Sequence, residues 1–221
     1  MKHALVIGAS GGIGSAISTE LSARGYGVTG LSRSADGLDV TDEASVKAAL
    51  SDVNQPMSLI FVATGALEPG GHRPEKALRE VTPAALEAAF RINAIGPLLV
   101  LKHSLHLLPK NAPSVFAALS ARVGSIGDNG IGGWHSYRAS KTALNQLIHG
   151  AAIELKRTHK QASAVCLHPG TVETSFTEKY ASRHKTVPAP QAAANLVNVI
   201  EGLTPAQSGG FFDYAAQKIP W

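Results

Sequence analysis

Two rhythms of apolar and polar positions alternate along this chain. Ala4 to Ile7 is a short unbroken apolar run, the pattern of a strand buried on both faces. Beyond the turn Gly8 to Gly14, apolar residues return at helical spacing through Ile17 and Leu21 to Arg24, and Gly27 to Leu31 reads as a second strand. Thr41 is placed to cap a helix with Asp42 and Glu43 in its first turn, running to Leu50. Ser58 to Val62 is the next buried strand. Thr82-Pro83 then supplies a cap and a first-turn proline for a long helical region through Leu86, Phe90, Leu98 and Leu101. Val115 to Leu119 is a strand and Gly124 to Gly133 a glycine-rich loop. Ala162 to Leu167 is a strand, Pro190 to Glu201 a helix, and a short last strand falls near Phe211-Phe212.

Strands alternating with helices throughout predict an α/β fold, a Rossmann-type, doubly wound and mainly parallel sheet with helices on both faces. No repeat, low-complexity tract or linker interrupts the pattern, so residues 1–221 read as a single dinucleotide-binding domain. The least regular stretches are Glu68 to Arg79 and Thr171 to Val187. In this architecture ligands bind at the loops that follow strand carboxyl ends.

Composition adds little to this. At 221 residues the chain suits one well-cored unit, and 44% hydrophobic with 16% charged residues is ordinary for a globular protein. The net charge is +4, but Lys and Arg are scattered, with neither a basic run nor an interleaved aromatic platform, which argues against nucleic acid as a partner. No apolar run in the sequence approaches a membrane span, and Met1-Lys2-His3 leads directly into the first strand without a signal sequence. The single cysteine, Cys166, lies in the apolar run Ala164 to Leu167 and reads as a buried thiol. A cytoplasmic location is the expectation.

The candidate chemistry centres on Ser136-Tyr137-Arg138-Ala139-Ser140-Lys141, which opens an amphipathic pattern through Leu144, Leu147, Ile148, Ala151 and Leu155. On a helix Tyr137 and Lys141 share a face. An ammonium one turn from a phenol favours the phenolate and moves its pKa from about 10 toward working pH. The pair is therefore a candidate general acid/base, although a solvated pair of neighbours has the same spacing.

A second candidate is the turn itself, Gly8-Ala9-Ser10-Gly11-Gly12-Ile13-Gly14, with a strand before it and a helix after it. Glycine permits a tight turn and close ligand approach, and the amides that open the helix suit a phosphate. At the end of the second strand, Ser32, Arg33 and Ser34 favour a 2′-phosphate, hence NADP(H). Asp36, a few residues on, keeps NAD(H) open. Among other residues, His103 and His106 lack the companions of a metal site and suit a surface or interface. His135 is a pocket or loop residue, and His168 ends a strand. Trp134 and Phe176 are pocket walls or local core, and Trp221 is a candidate subunit contact.

With Gly8, Gly12 and Gly14 spaced as G-x-x-x-G-x-G and Tyr137 and Lys141 as Y-x-x-x-K, the chain resembles the short-chain dehydrogenases/reductases over nearly its whole length. Gly124-Ser125-Ile126 and Ile219-Pro220-Trp221 are most similar to the C-factor and sniffer-type carbonyl reductases within that family. The resemblance places Asp39-Val40 beside an adenine and Ala63-Thr64-Gly65 where relatives carry Asn-Ala-Gly. It places Pro169, Gly170, Thr171, Val172 and Thr174 in the loop that flanks a nicotinamide. It implies hydride transfer between NADPH and a small carbonyl or alcohol, with Tyr137 protonating the oxygen. Lys141 would lower the phenol pKa and bind the nicotinamide ribose, while Asn93 would position a water in the proton relay. It also implies a homodimer or homotetramer formed through the helices around Asn93 and Tyr137.

Two departures stand out. The family's serine, in S-S-x-x-G, falls on Ala121, with Ser120 before it and Ser125 beyond Gly124. Strand alternation opposes a simple exchange of Ser120 for the missing group. Ser120 is nevertheless taken as the substrate-oxygen donor, with Ser125 in reserve. The segment from Arg33 to Asp39 is also very short, so either a helix and strand of the relatives are trimmed or one strand is rearranged. Ala121 keeps a rival reading alive: a catalytically weak NADP-binding regulatory or signalling protein of the same fold.

Overall fold

The computed structural model describes residues 1–174 and 186–221. In chain order the main elements are β1 (His3–Ile7), α1 (Gly12–Ala23), β2 (Gly27–Leu31), α2 (Arg33–Asp36), α3 (Glu43–Ser51) and β3 (Leu59–Val62). Then come α4 (Pro83–Phe90), α5 (Gly96–Ser104), β4 (Ser114–Leu119), α6 (His135–Thr158) and β5 (Ala162–His168). β6 (Val172–Glu173), β7 (Val187–Pro188), α7 (Ala189–Glu201) and β8 (Phe211–Asp213) complete the order. Among the described residues, six strands form one parallel sheet in the order β2-β1-β3-β4-β5-β8, and β6 pairs with β7 separately.

Each strand of the sheet feeds two cores because its side chains alternate between faces. Leu5 and Ile7, Ile60 and Val62, Phe116 and Ala118, and Ala164 and Cys166 pack with α3, α5 and α6 on one face. Ala4 and Val6, Leu59 and Phe61, Ala117 and Leu119, and Val165 and Leu167 pack with α1 and α7 on the other. Burial on both faces explains why these strands read as continuous apolar runs.

The short segment after β2 is resolved in favour of trimming. Ser32 caps the one-turn helix α2 by accepting from the Ala35 amide, and Gly37 ends it at φ 69°. The chain then passes through Leu38 to Thr41 without forming a strand, which leaves β2 at the sheet edge. Too few residues separate Arg33 from Asp39 to make a helix, return along the sheet and pair. The cap of α3 also differs from the sequence expectation. The Asp39 carboxylate accepts from both the amide and the hydroxyl of Thr41, at 2.8 and 2.7 Å, and the cap falls one residue later, on Asp42.

Thr82 does cap α4, with Pro83 in its first turn. Between α4 and α5 the chain forms a π-helical turn at Arg91–Ile95. Contrary to expectation, the combined stretch Pro83–Leu107 is long and apolar enough to cross a membrane, with a window of mean hydropathy 1.5. Here it packs against α6 and α3, with Asn93, Ala94, Val100 and Leu101 buried, as a core helix does.

His103 joins Lys102 on the Glu43 carboxylate, at 2.9 and 2.6 Å, linking α5 to α3. Trp221 packs within its own chain, stacked on Phe211 and edge-on to His149, while its carbonyl accepts from the Gly127 amide at 2.8 Å. The residue remains 43% exposed.

Candidate active site

At the carboxyl edge of the sheet, the loops after β1, β3, β4 and β5 meet the first turns of α6 around a cleft of about 430 Å³. The turn after β1 forms one end. Gly8, at φ 83°, donates its amide to Leu31 O at 2.7 Å, and the Gly11 amide donates to Gly8 O at 3.0 Å. A Cβ at Gly14 would lie 2.1 Å from Gly8 O, so α1 begins in direct contact with the turn. The cap position of α1 is Gly11, which has no side chain to offer the helix. Its opening amides, with the positive end of the helix dipole, therefore suit an anion.

Tyr137 and Lys141 stand at the other end on α6, 8% and 3% exposed. The Lys141 ammonium donates to Leu119 O at 2.8 Å, which fixes it beneath the end of β4. Gly124 makes this packing possible, because a Cβ there would fall 2.7 Å from the Lys141 Cβ. Across the cleft, a Cβ on Gly65 would lie 3.4 Å from Lys141 Nζ and 3.2 Å from Asn93 Oδ1. The glycine lets the loop after β3 close over both groups.

The electrostatics differ from the spacing argument. Lys141 Nζ is 5.9 Å from the Tyr137 ring centre, and among the chain's own groups burial outweighs it, raising the phenol above its ordinary pKa. Burial also pushes Lys141 down to about 8, so the ammonium persists at neutral pH. Cys166, near Lys141, is a buried thiol pushed up to about 12 by the same desolvation.

Asn93 lies in the π-helical turn, fully buried. Its carboxamide accepts from the Ala66 amide at 2.8 Å and donates to Ala66 O at 3.0 Å and Ser140 Oγ at 3.1 Å. Both amide protons are thus used in clamping the loop after β3 onto the helices.

The two serines separate clearly. Ser120 and Ala121 both line the cleft, but the Ser120 hydroxyl donates to Asn145 Oδ1 at 2.7 Å. Ser125 is not among the lining residues, and its oxygen accepts from the Asp128 amide at 3.1 Å, closing a local turn.

Gly11, Gly12, Ile13, Gly14, Ala63, Thr64, Gly65, Pro169, Gly170, Thr171, Val172 and Thr174 join Tyr137 and Lys141 around the cleft. Gly8, Ser10, Ser32, Arg33, Ser34, Asp39, Val40 and Asn93 are not among its lining residues. Arg33 and Ser34 are exposed just past the carboxyl end of β2. The Asp36 carboxylate is turned onto the Ser32 amide at 2.7 Å. Asp39, bonded to Thr41, keeps its carboxyl below the ordinary range. Val40 packs against Gly96, where a Cβ would meet Val40 O at 2.9 Å.

Trp134 is a pocket wall, its ring edge-on to Tyr137 with centroids 6.2 Å apart. His135 opens α6 outside the lining, and Phe176 lies outside the described residues. Sequence reading missed Leu67 and Val123 as apolar walls. It placed His168 at a strand end without seeing that the residue lines the cleft; burial lowers its pKa to about 4. Two polar atoms of lining residues, Thr64 Oγ1 and His168 Nδ1, are buried without a hydrogen-bond partner among the described residues. Such atoms suit a polar ligand.

Comparison with known proteins agrees with this arrangement. The family model described as short chain dehydrogenase matches residues 2–185. The 1-hydroxy-2-glutathionyl-2-methyl-3-butene dehydrogenase of Rhodococcus sp. (strain AD45) is 33% identical over 239 aligned positions, covering 100% of both chains. The C-signal protein of Myxococcus xanthus is 38% identical over 145 residues, 66% of this chain and 84% of that one. In fold, the chain superposes on the NADPH-bound carbonyl reductase from chicken fatty liver with a TM-score of 0.85 at 22% identity, covering 100% of this chain and 99% of that one. It superposes on the Sniffer carbonyl reductase of D. melanogaster at 0.82 and 20% identity, covering 100% of both. A phenol and an amine one helical turn apart thus face a glycine turn across a sheet edge in a chain that belongs to the short-chain dehydrogenase family of oxidoreductases.

Proposed function

We propose that this protein is an NADP-dependent reductase of small carbonyl compounds, acting reversibly on the corresponding alcohols, with Tyr137 as general acid/base. The observation that carries the reading is the cleft itself, in which the glycine turn, the Pro169–Val172 loop, Tyr137 and Lys141 line one space. The chain's residues fit a dinucleotide. The turn has no room for a Cβ at Gly14, α1 opens on a glycine that has no capping side chain, and among the described residues the buried Thr64 Oγ1 and His168 Nδ1 of two lining residues have no hydrogen-bond partner.

When bound, NADPH supplies the hydride. The amides of the glycine turn would hold its phosphates, Arg33 with Ser32 and Ser34 the 2′-phosphate, and Asp39 and Val40 the adenine end. Ala63 to Gly65 and Pro169 to Thr174 would frame the rest. Tyr137 delivers a proton from its hydroxyl to the substrate oxygen as the carbonyl carbon is reduced, and takes it back in the reverse direction. Lys141 stabilises the resulting phenolate, offsetting the burial that otherwise holds the proton on the phenol. Asn93 fixes the loop over Lys141, and with both amide protons engaged its side chain has none left to hold a relay water. Leu67, Val123 and Trp134 favour an apolar carbonyl substrate. Exposed Ile95, Leu105 and Ile153 around α5 and α6 support a homodimer or homotetramer, with size-exclusion mass as its check.

The primary test is consumption of NADPH absorbance with a panel of aldehydes, ketones and quinones. Arg33→Ala is expected to raise the Michaelis constant for NADPH by about 10- to 100-fold, the worth of a hydrogen bond to a charged group. The constant for NADH should hold, and equal shifts for the two coenzymes would defeat the 2′-phosphate assignment. Ser120→Ala should lower kcat by about tenfold, the worth of the one neutral hydrogen bond its hydroxyl can give once it turns from Asn145 Oδ1 to the substrate oxygen, while Ser125→Ala leaves it unchanged. If neither variant alters the rate, the site works without a serine.

The alternative is an NADP-binding regulatory or signalling protein with little turnover. Ala121 at the expected serine position, together with the engagement of the Ser120 hydroxyl by Asn145, favours it. Tight NADPH binding without turnover across the panel would select it.

A further inference from the structure

The loop after β3 reaches the catalytic helix through one buried carboxylate. Glu75 is 3% exposed and lies in a stretch with no regular sequence pattern. Its carboxylate accepts from the Ser136 amide at 3.1 Å and from the Ser136 hydroxyl, 61 residues away in sequence. Its main-chain carbonyl accepts from the Trp134 amide. One residue therefore meets the last residue before α6 and the first turn of α6.

These contacts fall where the backbone needs them. Gly132, Gly133 and Trp134 have φ values of 71°, 66° and 50°, and a left-handed conformation at a tryptophan persists only when its surroundings enforce it. Trp134 does not cap α6 with its own side chain, so the opening amides of the helix need acceptors from elsewhere. An anion is favoured at that end of the helix dipole. Burial works against the Glu75 charge, but the hydrogen bonds from Ser136 overcome it and hold the carboxyl below its ordinary range. Behind the contact the loop closes on α4 and α6, leaving a void of only about 10 Å³. At its other end the loop is clamped by Asn93 on Ala66.

We propose that Glu75 is a positioning residue, a latch that fastens the loop after β3 to the first turn of α6 and thereby holds Trp134 edge-on against Tyr137 at the wall of the substrate cleft. The inference rests on the reading of Tyr137 as the general acid. Glu75 does not line the cleft; it acts through Trp134, Ser136 and the helix turn that carries Tyr137. Releasing it frees the wall and the acid together, and small misplacements of a reacting group are costly in rate.

The test compares Glu75→Ala with Glu75→Gln. The amide oxygen of Gln can still accept from the Ser136 N–H, and its NH₂ can donate to the Ser136 hydroxyl. In Glu75→Ala, amide hydrogen exchange across residues 133–141 should rise by about tenfold or more, with α1 and α7 unchanged. NADPH affinity should stay within about twofold, while kcat/KM falls by about 10- to 100-fold, with loss of discrimination between small and bulky carbonyls. Glu75→Gln should restore most of both. Unchanged exchange in the alanine variant, or a rise spread evenly over the chain, overturns the latch; wild-type kcat/KM with locally raised exchange overturns its role in positioning. If the wild type itself fails to turn over any carbonyl, the function reading falls and the exchange measurement alone judges the latch.

Discussion

Tyr137→Phe is expected to bind NADPH as the wild type does and to lose turnover by about 10²- to 10⁴-fold, the range for removal of a general acid. The substitution keeps the ring against Trp134 and removes only the hydroxyl, so folding and coenzyme affinity should hold. Fluorescence titration with NADPH and single-turnover reduction of a good substrate separate the two effects; undiminished turnover would remove Tyr137 from the chemistry. The wild-type pH profile carries the companion signature. Burial pushes Lys141 down to about 8, so its ammonium is present at pH 7 and is lost as pH rises through that value. Without the positive charge the phenolate left by proton delivery is no longer stabilised, and kcat for reduction should decline above about pH 8. A flat profile to pH 10 would show that the amine acts only as a hydrogen-bond donor.

The second large effect is expected at Gly14. A Cβ there would stand 2.1 Å from Gly8 O and 2.8 Å from Gly8 C, and backbone, unlike the end of a flexible side chain, cannot swing aside. Gly14→Ala must push α1 off the turn, at a cost of about 1–3 kcal/mol for an overpacked site. That lowers the melting temperature by about 2–4 °C per kcal/mol in a chain of this size. The same displacement spreads the turn that would hold the coenzyme phosphates, so NADPH affinity should fall with stability. Gly150 makes the control. Its Cβ would meet nothing within 4 Å among the described residues, and it lies inside α6. Gly150→Ala should therefore raise stability by about 0.5–1 kcal/mol. Thermal unfolding of the two variants side by side checks the contrast, and equal melting temperatures would refute it.

Much of the fold was legible because burial on both faces of a parallel sheet writes itself as apolar runs such as Leu59-Ile60-Phe61-Val62, separated by helical periods. Where a local competition decided the outcome, legibility ended. Thr41 and Asp42 are both good caps, and only the capture of Thr41 by the Asp39 carboxylate assigns the cap to Asp42. The edge position of β2 was left between two readings, because shortness alone does not say whether a strand is lost or moved. At the site, Tyr137 and Lys141 were legible because α-helical geometry fixes the relation of residues four apart. The glycine turn was legible because strand, glycines and helix are contiguous.

The sequence by itself determined the covalent ingredients and every relation carried by local periodicity: the strand and helix order, the glycine turn at the end of β1, and a phenol and amine on one helical face. Tertiary structure alone decided which long-range partners satisfy the buried polar groups. It turned the Ser120 hydroxyl onto Asn145, set Glu75 on Ser136, and placed His168 at the cleft. It also decided the sign of the Tyr137 shift, because desolvation depends on how completely the fold encloses a group, whereas spacing along a helix tells only which charge is near.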